Sequence, residues 1–240
     1  MVRNDRRTRL LPKIILGQLL VGALIVLISS SVIFYTEGYR WNYKSMKIIK
    51  TGVLYFSFQP RDVQIKINSQ DFKASSNMAK NYSPGFYNIL IEKDGYNPWS
   101  IKLKIEPSSV NDYKNIILFK SNISANDLSD QGKIDLLNAP IDVLATNAPD
   151  QLRYSDHEIW VGDKLVTRFS GSILKAVWYP DLSHIVFQLN DEIRVVETSG
   201  QNDTLLVKLN SSESTNLAIG AKGTELYYRD LGQYKVASIR

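Results

Sequence analysis

The chain has 240 residues, 44% hydrophobic, 22% charged and 10% aromatic, a globular balance with room for one or two domains. It contains no cysteine, which excludes disulfides, thiolate nucleophiles and cysteine-based metal sites. Of the net charge of +5, residues 1–13 supply +4 through Arg3, Arg6, Arg7, Arg9 and Lys13 against Asp5, while the rest, with 24 basic and 23 acidic side chains, is nearly neutral. That distribution argues against a nucleic-acid-binding body, which would cluster cations on a folded face.

Residues 1–13 read as a basic tail on the cytoplasmic side of a membrane. Residues 14–35, IILGQLLVGALIVLISSSVIFY, are 22 positions without a formal charge. As a helix they would span about 33 Å, the depth of a bilayer core. Gln18 and Ser29-Ser30-Ser31 are tolerable there, since serine can bond back to its own helix. Cations before the segment place the amino terminus in the cytoplasm and everything after about residue 36 outside it. The apolar run exceeds a signal-peptide core of about 7–15 residues, and no small-x-small cleavage site follows it, so an uncleaved anchor is expected. Residues 36–50 form a juxtamembrane segment, with Tyr35, Tyr39, Trp41 and Tyr43 suited to an interfacial aromatic belt.

From residue 51 the pattern changes to short β-type runs. Residues 53–58 are the first, and residues 63–68, VQIKIN, alternate with period two, which predicts one buried and one wet face. Residues 87–92, 99–105 and 115–119 complete a set of five. Pro84-Gly85 and Asp94-Gly95 mark turns, and Pro60 suits the gap between the first two strands. Five strands without a helical pattern predict a small antiparallel sandwich.

The stretches Ser57-Phe-Gln-Pro60, Val63 to Asn68, Pro84-Gly-Phe-Tyr87 and Asp94-Gly-Tyr96 resemble, in that order, the turns and strands of a PEGA domain. Thr36-Glu-Gly-Tyr-Arg-Trp-Asn42 with Thr51-Gly52 also resembles membrane-anchored bacterial PEGA proteins. The naming tetrapeptide is Pro60-Arg-Asp-Val63 here, and Ser69 stands where a glycine is usual. The resemblance covers residues 51–120. It implies a small β-module in a bacterial cell envelope that binds or spaces, and it supplies no catalytic residues.

Residues 121–140 are polar and without periodicity, and read as a linker. Beyond them the chain repeats itself. Glu192-Ile-Arg-Val195 echoes Glu158-Ile-Trp-Val161 at an offset of 34, Ile185-Val-Phe187 aligns with Leu226-Tyr-Tyr228 at 41, and Val195 meets Val236 at that same offset. Pro180-Asp181 echoes Pro149-Asp150. A unit of about 40 residues with four short strands is the size of a propeller blade. Residues 174–209 are similar to the Trp-Ser-Pro-Asp-Gly blade of TolB-like propellers, with Tyr179 for the Ser and Leu182 for the Gly. Units starting near residues 142, 174 and 216, the third short of its last strand, are too few to close a propeller. A piece of a longer protein, or an open or oligomer-completed sheet, is expected. The fold class is thus mainly β: one transmembrane helix, a PEGA-like sandwich over 51–120, and incomplete four-stranded propeller-type repeats over 141–240.

No catalytic constellation emerges. His157 and His184 stand in turn and strand-start positions without a motif, and Asp150, Asp156, Asp181 and Asp191 read as solvated turn acids rather than a calcium loop. Nucleotide-binding and hydrolase motifs are absent. The Asn-x-Ser/Thr matches at Asn81, Asn122, Asn202 and Asn210 read as chance. Trp160, Trp178, Tyr227 and Tyr228 read as blade packing. No catalytic, cofactor-binding or metal-binding residue is named, and no cofactor is expected.

The leading functional expectation is a single-pass, non-catalytic binding or scaffold protein that presents extracytoplasmic β-modules to a protein or cell-wall glycan. The alternatives are a fragment of a longer envelope enzyme with its catalytic part beyond Arg240, and a ligand-free spacer. An incomplete repeat array leaves an apolar flank bare. An isolated fragment starting near residue 140 is therefore expected to self-associate on size-exclusion chromatography, and a monodisperse, cooperatively unfolding monomer would contradict this.

Overall fold

A computed structural model describes residues 5–43, 46–68, 70–139 and 150–240. Strand is the dominant conformation. Helix α1 (Asp5–Thr36) begins before the apolar run that predicts it, because Arg and Leu upstream are themselves good helix formers. Within it, Ile15–Thr36 is long and apolar enough to cross a membrane. Ser31 Oγ donates to Leu27 O at 2.8 Å, so its hydroxyl is satisfied without solvent. Gly38, at φ +85°, stops the helix while its N–H still reaches Tyr35 O at 3.2 Å, a left-handed C-cap that glycine adopts without strain. The juxtamembrane residues then pair as a hairpin, β1 (Tyr39–Asn42) with β2 (Lys47–Lys50).

The next region carries seven strands where five were expected: β3 (Gly52–Gln59), β4 (Val63–Ile67), β5 (Gln70–Ala74), β6 (Met78–Tyr82), β7 (Gly85–Glu92), β8 (Trp99–Ile105) and β9 (Val110–Ile117). They form two sheets, in the orders β6-β3-β9 and β5-β4-β7-β8. Alternation on β3 and β4 buries Leu54, Phe56, Phe58, Val63, Ile65 and Ile67. Antiparallel register sets Ile65 against Ile91 and Ile67 against Ile89, so the apolar sides of β4 and β7 coincide. The two missed strands, QDFKA and MAKNY, are largely exposed and lack alternating apolar residues.

The chain divides into two compact units that do not follow these sequence segments. One holds the residues up to 55 with 79–86 and 103–112; the other holds 56–78, 87–102 and 113–240. In the first, Thr51 donates to Gly38 O from its backbone at 3.0 Å and from its hydroxyl at 2.8 Å. Ser108 N–H then donates to Thr51 O at 3.1 Å, and Val53 N–H to Ser109 O at 2.8 Å.

In the second unit three further sheets follow. The first is β11 (Leu152–Tyr154), β12 (Glu158–Val161) and β13 (Lys164–Arg168). The expected repeat start near residue 142, and Pro149, lie outside the described residues. The second sheet runs β14 (Ile173–Trp178), β15 (His184–Leu189), β16 (Glu192–Glu197) and β17 (Thr204–Lys208) in sequence order. The third is built from β18 (Leu217–Ile219), β19 (Glu225–Asp230) and β20 (Gln233–Ser238). The offset of 41 is structural: Ile185–Phe187 and Leu226–Tyr228 lie on the second strands of their sheets, and Val195 and Val236 on the third. Leu182 takes φ +54°, the conformation Gly223 takes at the matching turn with φ +66°. The turn therefore survives the loss of its glycine, although a left-handed leucine costs on the order of 1–2 kcal/mol. Among the described residues the sheets close into neither a barrel nor a propeller.

The third sheet corrects two expectations. It does not lack a fourth strand, and residues 121–139 are not a plain linker. They contain β10 (Ala125–Asp127), which pairs antiparallel with β20, and helix α2 (Gln131–Asn138). Asp130 caps α2 by accepting from Lys133 N at 3.3 Å. The sheets stack in series. Ile185 and Phe187 on β15 pack towards the first sheet, with Ile159 and Val166, whereas Val186 packs towards the third, with Leu226 and Tyr228. On the outer side of the third sheet, Ala218 and Tyr227 meet Leu128 and Leu137 from the returning segment. Lys133 Nζ lies 2.9 Å from Glu225 Oε2, to which Tyr227 Oη also donates at 2.6 Å. The polar composition hid this role, because only a few apolar residues do the covering.

Leu137 is 3% exposed at that contact. Replacing it by Asp removes its apolar burial and sets a carboxylate against Tyr227. Leu137→Asp should cost about 3 kcal/mol or more in thermal unfolding of the detergent-solubilised chain. Light scattering should show larger species as the flank is bared.

Candidate functional site

His157, His184, Asp181, Trp160 and Tyr227 take structural partners, whereas the buried Trp178 Nε1 has none among the described residues. His184 is buried on β15, with Nδ1 2.7 Å from Asp181 Oδ2 and its ring edge-on to Phe119 and Tyr179. Asp181 Oδ1 accepts from the backbone N–H groups of Ser183 at 2.9 Å and His184 at 3.1 Å. Asp181 is thus an enclosed turn-closing carboxylate, not a solvated one, because it satisfies donors that the buried strand start leaves over. Tyr179 donates to Gly223 O, and burial pushes its hydroxyl up to about 12. His157 occupies the turn between β11 and β12, where Nδ1 meets Gly171 O at 2.9 Å. Among the described residues no three His, Asp or Glu side chains come together to hold a metal. Tyr227 and Tyr228 are buried in sheet packing, and Trp160 donates to Glu158 Oε2 at 2.9 Å. Asn202 and Asn210 are tied up in side-chain hydrogen bonds, to Glu197 and Asp230 respectively.

A node that sequence reading missed is centred on Glu197. Its carboxylate accepts from Trp99 Nε1, from Asn202 Nδ2 at 2.9 Å and from Ser199 Oγ at 2.9 Å. Asn202 Oδ1 in turn accepts from Ser100 N–H at 3.0 Å. Trp99 is 3% exposed and packs edge-on to Phe56 and Tyr113. One indole thus fills the core between β3, β8 and β9 while its N–H closes onto the end of β16. Nearby, Leu118 N–H donates to Gln59 O at 2.8 Å and Lys120 N–H to Ile239 O at 3.0 Å. Within the second unit, then, residues 87–102 and 113–120 are hydrogen-bonded to the array over 150–240. No sequence pattern marks this, since the partners are 98 residues apart.

Two open clefts face solvent in the same unit. The larger, about 810 Å³, is lined by Asp62, Gln64, Lys73, Glu92, Lys93 and Tyr96. Lys93 Nζ donates to Arg61 O at 2.5 Å, and Glu92 pairs with Lys66. Val63, Ala74 and Pro98 line it as well, and this mixture of carboxylates, amines and one phenol with apolar surface suits a hydrated, amphipathic partner. The second, about 690 Å³, lies over β4, β7 and β8 and includes Lys66, Asn88, Leu90, Ser100 and Asn202.

The third functional element is α1 itself. Its apolar side chains from Ile15 to Tyr35 are exposed by more than half nearly throughout. Among the described residues no element covers this surface, and its length matches a bilayer.

No protein family matches the chain, and no curated protein matches it. The solved structures that resemble it include a protein of unknown function from Bacteroides fragilis that is suggested to be membrane-associated. It is 10% identical, with 79% of this chain and 96% of that one covered and a TM-score of 0.24. So distant a likeness carries no argument about this chain.

Removing the Glu197 carboxylate leaves the buried Trp99 N–H without its acceptor. Glu197→Ala should destabilise the chain by about 1–3 kcal/mol. Glu197→Gln, which keeps an acceptor oxygen, should lose less. Thermal melts of both variants check the order, and equal losses would assign the effect to something other than the hydrogen bond.

Proposed function

We propose that this is a single-pass, envelope-anchored, non-catalytic protein that presents PEGA-like and propeller-type β-modules outside the cytoplasm to a protein or cell-wall glycan partner. The observation that carries the reading is α1. Its span Ile15–Thr36 is of bilayer length with an apolar surface, preceded in the chain by five cations and followed at once by β-structure. An uncovered apolar helix is unfavourable in water by about 25 cal/mol per Å², and a bilayer removes that penalty. The cationic tail supports an orientation with the amino terminus inside. The polar cleft bounded by Asp62, Lys73, Glu92 and Tyr96 is the surface best suited to a hydrated partner.

Support for a non-catalytic role comes from the fate of the reactive side chains. His184 and Asp181 are consumed in turn closure, and Glu197 accepts from three donors. The PEGA-like reading rests on the turn and strand order over residues 51–120.

Protease added to intact spheroplasts should degrade residues after about 36 and leave a protected amino-terminal fragment. Digestion only after the membrane is permeabilised would place the β-modules in the cytoplasm and end this proposal.

A further inference from the structure

Outside α1, the described large apolar side chains that are about half or more exposed concentrate in the smaller unit. They are Trp41, Tyr43, Met46, Ile48, Phe86 and Val110, whereas the larger unit has only Leu231. Four of the six belong to the β1–β2 hairpin. Register sets Tyr39 opposite Lys50 and Trp41 opposite Ile48. With side chains alternating between faces, Tyr39, Trp41, Ile48 and Lys50 share one side, and Tyr43 and Met46 stand at the loop end of the hairpin. Met46 is 69% and Tyr43 83% exposed. Such a face is costly in water and has no covering element among the described residues.

The hairpin cannot leave the end of α1. Arg40 Nη1 donates to Tyr35 O at 2.7 Å and Tyr39 O at 2.9 Å, and its guanidinium lies 3.7 Å over the Tyr35 ring. Phe34 on α1 meets the Tyr39 ring edge-on at 5.4 Å. Thr51, just past β2, is bonded twice to Gly38 O. Both ends of the hairpin are therefore fastened where the helix leaves the apolar layer. Each strand is about 13 Å long, and the headgroup layer on one side of a bilayer is about 5–8 Å deep. Lys50 Nζ lies 3.9 Å from Glu37 Oε2 and 5.5 Å from the Tyr39 ring centroid, while Lys47 carries its ammonium on a stem long enough to reach lipid phosphates.

We propose that the β1–β2 hairpin is a bilayer-seated collar, with Trp41, Tyr43, Met46 and Ile48 inserted in the headgroup and upper acyl region around the exit of α1. The occupant of this face is lipid. The collar rests on the reading of α1 as a membrane anchor, and it adds a second, interfacial contact that restrains the smaller unit against the membrane. Val110, also exposed, follows the Ser108–Ser109 turn that hydrogen-bonds Thr51 and Val53.

The absence of native cysteine allows a direct test on the full chain. Single substitutions Met46→Cys, Ile48→Cys, Leu24→Cys and Leu231→Cys are labelled with an environment-sensitive fluorophore. The proteins are reconstituted into phosphatidylcholine–phosphatidylglycerol vesicles with the β-modules outside. Labels at 46 and 48 should show blue-shifted emission and loss of quenching by aqueous iodide, approaching the label at 24, while the label at 231 stays quenched. If 46 and 48 are quenched as fully as 231 while 24 remains protected, the collar is overturned and the anchor stands. If 24 is quenched as well, the anchor reading falls and the collar falls with it.

Discussion

A stack of small β-sheets has an end, and the end is apolar. Each sheet here buries one face on its neighbour, as β15 does in both directions with Ile185, Phe187 and Val186. Among the described residues the third sheet has another sheet on one side only, and without further cover Ala218 and Tyr227 would meet water on the other. The chain meets this constraint with a segment that precedes the array. β10 pairs with β20 and closes that edge, and α2 lays Leu137 over Tyr227. This is the service that capping elements render in repeat arrays, where the terminal unit cannot rely on stacking. The hydrogen bonds of Glu225 with Lys133 and Tyr227 hold the cap in register.

That return has a consequence for how the chain is partitioned. A capping segment that lies between two β-regions in sequence ties each of them to the other in space. Ile117 and Phe119 join the same buried cluster as Leu226 and Ile239, and the Trp99–Glu197 hydrogen bond adds a polar tie. The Trp99 indole N–H is buried and meets its acceptor there, so this link has a directional requirement that apolar packing lacks. Most of residues 56–120 therefore fold with the repeat array rather than as a free module on a tether. The anchor helix belongs to the other compact unit.

The parts legible in sequence were those where one local rule acts strongly. The charge-free run became the helix of bilayer length, and the alternation VQIKI became a strand with Val63, Ile65 and Ile67 buried. The offset of 41 marked equivalent strands because the same stacking geometry imposes the same residue types. What stayed hidden depends on partners distant in sequence. β5 and β6 lie largely exposed and need no apolar alternation, and β10 is a strand only because β20 lies beside it. The Glu197 node was invisible for the same reason. A tryptophan next to a proline and a glutamate at a strand end have no local signature of meeting. The hairpin escaped notice because its apolar face reads, one residue at a time, as an aromatic belt.

Leu182 illustrates how global packing overrides a local preference. A tight turn at positive φ favours glycine, which the matching turn has at Gly223. Leu182 holds the same conformation because the turn around it is over-determined. Asp181 accepts two backbone N–H groups, Leu182 N–H donates to Tyr179 O at 3.0 Å, and Tyr179 is anchored through Gly223 O in the next sheet. The glycine at 223 is needed for a further reason: a Cβ there would lie 2.3 Å from the Tyr179 hydroxyl. Two equivalent turns thus differ in the residue they accept because one receives a neighbour's side chain and the other sends it. Symmetry of the repeat is broken where adjacent sheets must interlock.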